Sequence, residues 1–286
     1  MIEHEFRKQR LFGIDFDVVT MSDAVDWVFH TVNVGWRSRM KYVVTPNVSL
    51  TMRHQQSAEF RKVIHHSDLT IVDGSPLVRA SKLLGMPLPE RVAGSDLVLE
   101  LFNAAIEESP LRVFFLGAAP GVAERAADAV HSKWKGVKAV GTLSPDIGFE
   151  NDPQANDAIV QIVNATEPDI LVIGLGAPKQ ENWAFEHRDE LKVPVALCVG
   201  GTIDFLAGEQ TRAPVWVRKL GVEWMWRLGT NPRRLLGRYV GDALKLPRLF
   251  RNEVDGVCPT FDDDQEQNSE TKRIGPETAI EEKTTS

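Results

Sequence analysis

Residues 168–205 read PDILVIGLGAPKQENWAFEHRDELKVPVALCVGGTIDF, and the reading of this stretch decides the fold. An apolar run at 170–173 ends in Gly174, residues 179–191 follow helical spacing, and a second apolar run at 195–199 ends in Gly200-Gly201. Short runs of Val, Ile and Leu without alternation mark strands buried on both faces, and a helix between two of them joins parallel neighbours. Working outward, the same unit recurs. Residues 42–44, 69–72 and 112–116 read as further buried strands, and 57–66, 96–108, 122–134 and 157–164 as helices. The chain is therefore predicted to be α/β, with a Rossmann-like, mostly parallel sheet covered by helices and ligands bound beyond the carboxyl ends of the strands. A strand over 11–19 leads in, followed by a helix signalled by Ser22 and Asp23 ahead of Ala24, Val25 and Trp27.

Charge divides the chain more sharply than its net value of −7 suggests. Residues 212–251 carry ten Lys or Arg against Glu223 and Asp242, whereas 252–286 carry ten acids against Lys272, Arg273 and Lys283. Three parts follow: a core over 1–211, a basic helical appendage over 212–251, and an acidic tail over 252–286 that loses periodicity and is expected to be disordered. No segment reaches the roughly 18 to 20 apolar residues of a membrane span. The polar start, residues 1–10, has no secretory pattern, so a cytoplasmic location is expected. Cys198 and Cys258 are too few and too far apart for a disulfide framework or a zinc site.

Chemistry is sought in the loops at strand ends. Thr45-Pro46-Asn47 offers two short polar groups around a rigid turn, either to a ligand or to cap the next helix. Val72-Asp73-Gly74-Ser75-Pro76 ends an apolar strand in a carboxylate, which fits a general base facing a cleft or a helix cap. Arg91, in Pro89-Glu90-Arg91-Val92-Ala93-Gly94-Ser95-Asp96, suits a diphosphate through its planar fork, or a surface ion pair; Ser95 or Asp96 would cap the helix after it. Residues 117–121 and 174–180 are glycine-rich strand ends able to present N–H groups to a phosphate, though neither spells a dinucleotide fingerprint or a P-loop. Gly200-Gly201-Thr202-Ile203-Asp204 adds a carboxylate that could hold a ribose or sugar hydroxyl.

Two acidic motifs are discounted. Asp15-Phe16-Asp17 spells Asp-x-Asp but lies inside a strand, and Asp262-Asp263-Asp264 reads as a solvated run in the tail, so no metal is expected. In the basic segment, Trp216, Leu220, Trp224 and Leu228 fall on one helical stripe, and Asn231-Pro232 separates it from a second helix. That stripe packs on the core, or its indoles and guanidinium groups meet an anionic membrane surface. Nucleic acid is not an expected partner of this acidic chain.

Thr45-Pro46-Asn47, Asp73-Gly74, Arg91-Val92-Ala93-Gly94, residues 174–181, residues 200–204 and Arg212-Ala213-Pro214 together form an ordered set. By that set the chain resembles the WecG/TagA/CpsF family of bacterial glycosyltransferases over about 12–251. The resemblance implies transfer of N-acetylmannosamine or a related hexose from a UDP-sugar to an undecaprenyl-diphosphate-linked sugar, with inversion and no cofactor or obligatory metal. Such reactions build teichoic acid linkage units, enterobacterial common antigen or exopolysaccharide. It further implies Asp73 as the base, with Thr45 beside it as a catalytic candidate, and Asn47, Arg91, Gln180, Gly200, Gly201 and Asp204 as substrate-binding positions. Arg212, Arg218, Arg227, Arg233 and Arg234 would meet the lipid diphosphate or the membrane, placing the enzyme peripherally at the inner face. Pro76 is a departure, since many members continue Asp-Gly-x-Gly. Without the resemblance, two other classes fit the residues: a Rossmann-type NAD- or SAM-dependent enzyme, and a non-enzymatic membrane-docking protein. Self-association is open.

Overall fold

The computed structural model describes residues 6–210, 225–226, 229 and 232–265. In chain order the elements are β1 (Lys8–Leu11), β2 (Ile14–Asp17), α1 (Met21–Val34), β3 (Lys41–Val44), α2 (Val48–Gln56), α3 (Ala58–His65), β4 (Leu69–Thr70), α4 (Ser75–Leu83) and α5 (Gly94–Ala104). They continue with β5 (Leu111–Gly117), α6 (Val122–Lys133), β6 (Val137–Leu143), α7 (Pro153–Ala165), β7 (Ile170–Gly174), α8 (Lys179–Glu186), β8 (Val195–Cys198), α9 (Thr202–Leu206) and a terminal helix, Pro232–Val254.

The predicted parallel sheet is present, in the order β4-β3-β8-β7-β5-β6, and every pairing in it is parallel. Successive side chains of a strand point to opposite faces, which explains the unbroken apolar runs. Tyr42, Val44, Phe114, Leu116, Leu171, Ile173, Ala196 and Cys198 face one core, which also contains residues of α2, α3, α4, α7 and α8. Val43, Leu69, Val113, Phe115, Ile170, Val172, Val195 and Leu197 face the other, shared with α1, α5, α6 and α9.

Four local readings are corrected. The single strand expected over 11–19 is a hairpin, in which β1 pairs antiparallel with β2 across a turn at Phe12 and Gly13, both left-handed at φ 55° and 77°. Phe12 tolerates that conformation because it is fully buried against Phe250, with its N–H on Glu253 and its carbonyl on Gln55. The first helix starts two residues earlier than expected, because Thr20 rather than Ser22 caps it in a reciprocal box with Asp23. On α5 neither Ser95 nor Asp96 is the cap; the helix begins at Gly94, after Ala93, with no side-chain cap. Strand β6 was not anticipated, because Lys138, Gly141 and Thr142 interrupt its apolar pattern at the sheet edge.

The acidic tail behaves differently from its expectation as far as residue 265. The terminal helix runs on to Val254, with Leu249 buried in the core and the helix packed on α2. A further helical turn covers 261–265. Asp264 is not solvated: it makes a two-pronged ion pair with Arg61 at 2.6 and 2.7 Å, and both side chains are nearly buried. Phe261 stacks on His65 at 4.2 Å between ring centroids. Burial won over local composition here because Arg61 and His65 on α3 offer partners that only the folded chain brings near. Of the basic stripe, Trp216, Leu220, Trp224 and Leu228 lie outside the described residues, as do Arg212, Arg218 and Arg227. Arg233 and Arg234 lie in the first turn of the terminal helix. Among the described residues no helix is long and apolar enough to cross a membrane.

Candidate functional site

Thr45, Asn47, Asp73, Gln180, Gly200 and Gly201 lie beyond the carboxyl ends of β3, β4, β7 and β8. Asp73 leaves β4 with its N–H on the Pro46 carbonyl at 3.0 Å, and Ile71 donates to the Val44 carbonyl at 3.0 Å. The two strand mouths are thus stitched together, and Thr45-Pro46-Asn47 runs beside Val72-Asp73-Gly74. Thr45 is buried, and its hydroxyl donates to the Cys198 carbonyl at 3.3 Å, tying β3 to β8.

The helix-capping alternatives resolve differently at the two positions. Asn47 caps α2, its Oδ1 accepting from the Leu50 N–H at 3.2 Å. On α4 the cap position is Gly74, and Asp73 stands one residue before it. Its carboxylate is only partly buried at the strand mouth. Pro76 fits the first turn of α4, where a missing N–H leaves no helical bond broken.

Arg91 and its neighbours form the wall next to Asp73. Val92 donates to the Val72 carbonyl at 3.0 Å, so residues 91–93 run along the end of β4. The Arg91 guanidinium holds Asp96 at 2.9 Å, with both side chains about four-fifths buried, which is more sheltered than a surface pair. Gly94 then brings α5 into contact with the mouths of β8 and β3: a Cβ there would lie 2.7 Å from Val199 Cγ1 and 3.3 Å from Thr45 Cγ2.

The far wall comes from α8 and the turn after β8. Gln180 is buried and accepts the Gly200 N–H on its Oε1 at 3.1 Å. Gly200 takes a left-handed φ of 57°, and Gly201, exposed, leads into α9, which carries the half-buried Asp204. The glycine-rich ends at Gly117 and Gly174 have a packing role: a Cβ on Gly117 would lie 2.5 Å from the Gly174 carbonyl carbon, and one on Gly174 2.8 Å from Ile203 Cδ1. Sequence reasoning missed Glu181 as a separate group. It is fully buried, and burial pushes its carboxyl up to about 7 against the Gln180 amide bond that lowers it. Its only signal was its place beside Gln180 at a helix start after a strand.

The Asp-x-Asp motif lies in strand β2, beside the edge of β4. Asp15 pairs with Arg10 at 2.7 Å, which keeps its carboxyl below the usual range, while Asp17 accepts the Thr70 N–H at 2.7 Å and is pushed up to about 6 by burial. Among the described residues no group of three His, Cys, Asp or Glu side chains could hold a metal. A broad concavity of about 750 Å³, lined by Trp36, Asn164, Asp169 and Lys192, opens at the amino ends of β7 and β8 and contains none of the site residues.

A carboxylate, short polar groups and glycine turns at the carboxyl edge of an open parallel sheet stand where α/β proteins of this architecture bind ligands. The family model described as "Glycosyl transferase WecG/TagA/CpsF family" matches residues 9–256. A relative from Bacillus spizizenii, "N-acetylglucosaminyldiphosphoundecaprenol N-acetyl-beta-D-mannosaminyltransferase", is 32% identical over 212 residues, covering 72% of this chain and 80% of its own. A Staphylococcus aureus protein of the same name is 29% identical over 232 residues, covering 80% of this chain and 87% of its own. The chain belongs to the WecG/TagA/CpsF family, and it is a glycosyltransferase.

Proposed function

We propose that this enzyme transfers N-acetylmannosamine, or a closely related hexose, from a UDP-sugar to the sugar of an undecaprenyl-diphosphate-linked acceptor, with inversion. The observation that carries the reading is the placement of Asp73: a carboxylate at the mouth of β4, one residue ahead of the α4 cap position at Gly74, beside Thr45, Asn47 and the Arg91 loop. The names of the two relatives supply the substrate class.

In this mechanism the Asp73 carboxylate takes the proton of the acceptor hydroxyl as its oxygen bonds to the anomeric carbon, and the bond from that carbon to UDP breaks on the opposite face. Negative charge then develops on the departing diphosphate. Arg91, held by Asp96, and the basic segment containing Arg212, Arg218, Arg227, Arg233 and Arg234 supply the opposing charge, without a metal. Asn47, Gln180 and the turn at Gly200 and Gly201 shape the crevice, and Asp204 receives ribose or sugar hydroxyls. The basic segment also attracts an anionic membrane, which places the enzyme at the inner face where a polyprenyl-linked acceptor is presented.

A donor screen tests the reading. UDP-sugars are supplied with N-acetylglucosaminyl-diphosphopolyprenol, and UDP release is followed together with lipid-linked product. Transfer from UDP-N-acetylmannosamine or a related UDP-hexose is expected. No transfer from any UDP-sugar, combined with thermal stabilisation by NAD and none by UDP, would replace this reading with the dinucleotide alternative.

A further inference from the structure

Glu181 is a buried ionisable group to which the mechanism above assigns no step. It is 0% exposed, its Oε1 accepts the Gln180 Nε2–H at 2.8 Å, and its Oε2 has no hydrogen-bond partner among the described residues. Gln180 passes the contact on, its Oε1 accepting the Gly200 N–H at 3.1 Å, while the Cys198 thiol lies against the Gln180 carbonyl at 3.7 Å. A single line of hydrogen bonds therefore runs from α8 to the turn at the mouth of β8.

The chemistry of the carboxyl gives that line a direction. An amide side chain has a donor end and an acceptor end, and only one orientation satisfies the Gly200 N–H. An ionised carboxylate accepts and never donates, so it draws the Nε2 end of Gln180 toward itself and turns Oε1 toward Gly200. A buried carboxylate oxygen without a partner is destabilising, and a helix with no task here would do better with an apolar side chain. Among the described residues, a Cβ at Gly200 would meet nothing within 4 Å, and Gly201 is exposed. Asp204 follows three residues after Gly201, its backbone carbonyl accepting from Glu209.

We infer that Glu181 is a positioning residue for the donor: through Gln180 it fixes the Gly200-Gly201 turn, and with it the wall of the crevice that receives the nucleotide of the UDP-sugar. The inference rests on the proposed function for the identity of the ligand, but the geometry it assigns to Gly200 does not. Glutamine at this position keeps an acceptor oxygen facing Gln180 Nε2, so it preserves the line of hydrogen bonds to Gly200.

The experiment compares Glu181→Leu with Glu181→Gln, which keeps an acceptor facing Gln180; Glu181→Ala takes the place of the leucine variant if that one does not fold. Three quantities are read: KM for the UDP-sugar against KM for the acceptor, Kd for UDP by calorimetry, and hydrogen exchange at the Gly200 amide. The apolar variant is expected to raise donor KM and UDP Kd about tenfold, leave acceptor KM and kcat within about threefold, and speed Gly200 exchange at least tenfold. Glu181→Gln is expected to stay within about twofold of wild type on each. Unchanged donor KM and unchanged Gly200 exchange in a folded apolar variant would overturn the inference, as would equal losses for both substrates and both variants. If wild type binds no UDP, the proposed function fails, and Gly200 exchange still decides whether Glu181 holds the turn.

Discussion

Adding one methyl group at Gly94 should disturb both stability and the site. A Cβ at this position lies 2.7 Å from Val199 Cγ1 and 3.0 Å from Val199 Cβ, and 3.3 Å from Thr45 Cγ2. Ordinary carbon contacts begin near 3.5 Å, so α5 and the mouth of β8 must separate by roughly 0.8 Å. Val199 cannot turn aside cheaply, because a β-branched side chain has one or two usable rotamers and this one is buried. Overpacking of this kind costs about 2 kcal/mol, which for a chain of this size lowers Tm by roughly 4–8 °C. The same displacement moves Thr45, and a shift approaching 1 Å in the proposed site lowers kcat/KM by roughly tenfold to hundredfold. Removing the obstacle tests the cause. Val199→Ala alone costs about 2 kcal/mol by opening a cavity, but together with Gly94→Ala the new methyl fills part of that cavity. Urea titration of the two single variants and the double variant should show the double to be more stable than the sum of the singles by about 1–2 kcal/mol. A Gly94→Ala protein with native midpoint and rate, or strictly additive losses, would refute this reasoning.

Asp17 gives a pH dependence of known sign. Its folded carboxyl titrates near 6 against 3.8, so the folded state holds the proton more tightly; that stability is complete below 3.8 and is lost as pH rises through 6. Asp17→Asn should remove this loss, worth about 2.4 kcal/mol between pH 4 and 7, in urea titrations across that range. Wild-type and variant curves that remain parallel would contradict it. His54, held down to about 3 by burial, acts in the opposite sense in both proteins and cancels in the difference. Asp264→Ala should lower unfolding free energy by about 3 kcal/mol, because it leaves Arg61 buried and charged. An unchanged urea midpoint would show the strap over 252–265 to be dispensable.

The central strands were legible because both faces of the sheet are buried, which writes β3, β5, β7 and β8 into the sequence as unbroken apolar runs. Edge strand β6 was not, since its partly exposed side chains release that constraint. Phe12 adopts a left-handed turn that its residue type disfavours, and the forces holding it come from Phe250 and Glu253, far along the chain. Asp264 likewise looked solvated because its partner, Arg61, lies 203 residues away. Within the site, Thr45, Asn47, Asp73 and Arg91 could be nominated because strand mouths in a parallel sheet are where polar loops converge, and Gln180 through the family resemblance. Their division of labour required coordinates: Asn47 caps α2, whereas the cap position of α4 is Gly74, one residue beyond Asp73. The buried state of Glu181 was invisible for the same reason, since a glutamate in the first turn of a helix is ordinarily a surface residue.

The central claim is that Asp73 removes the acceptor proton in sugar transfer, and Asp73→Asn tests it most directly. The variant should retain the wild-type melting temperature and UDP affinity within about twofold, while transfer from the UDP-sugar to the polyprenyl-diphosphate acceptor falls by roughly 10²–10⁴. Turnover equal to wild type in a folded, UDP-binding Asp73→Asn protein would contradict the account.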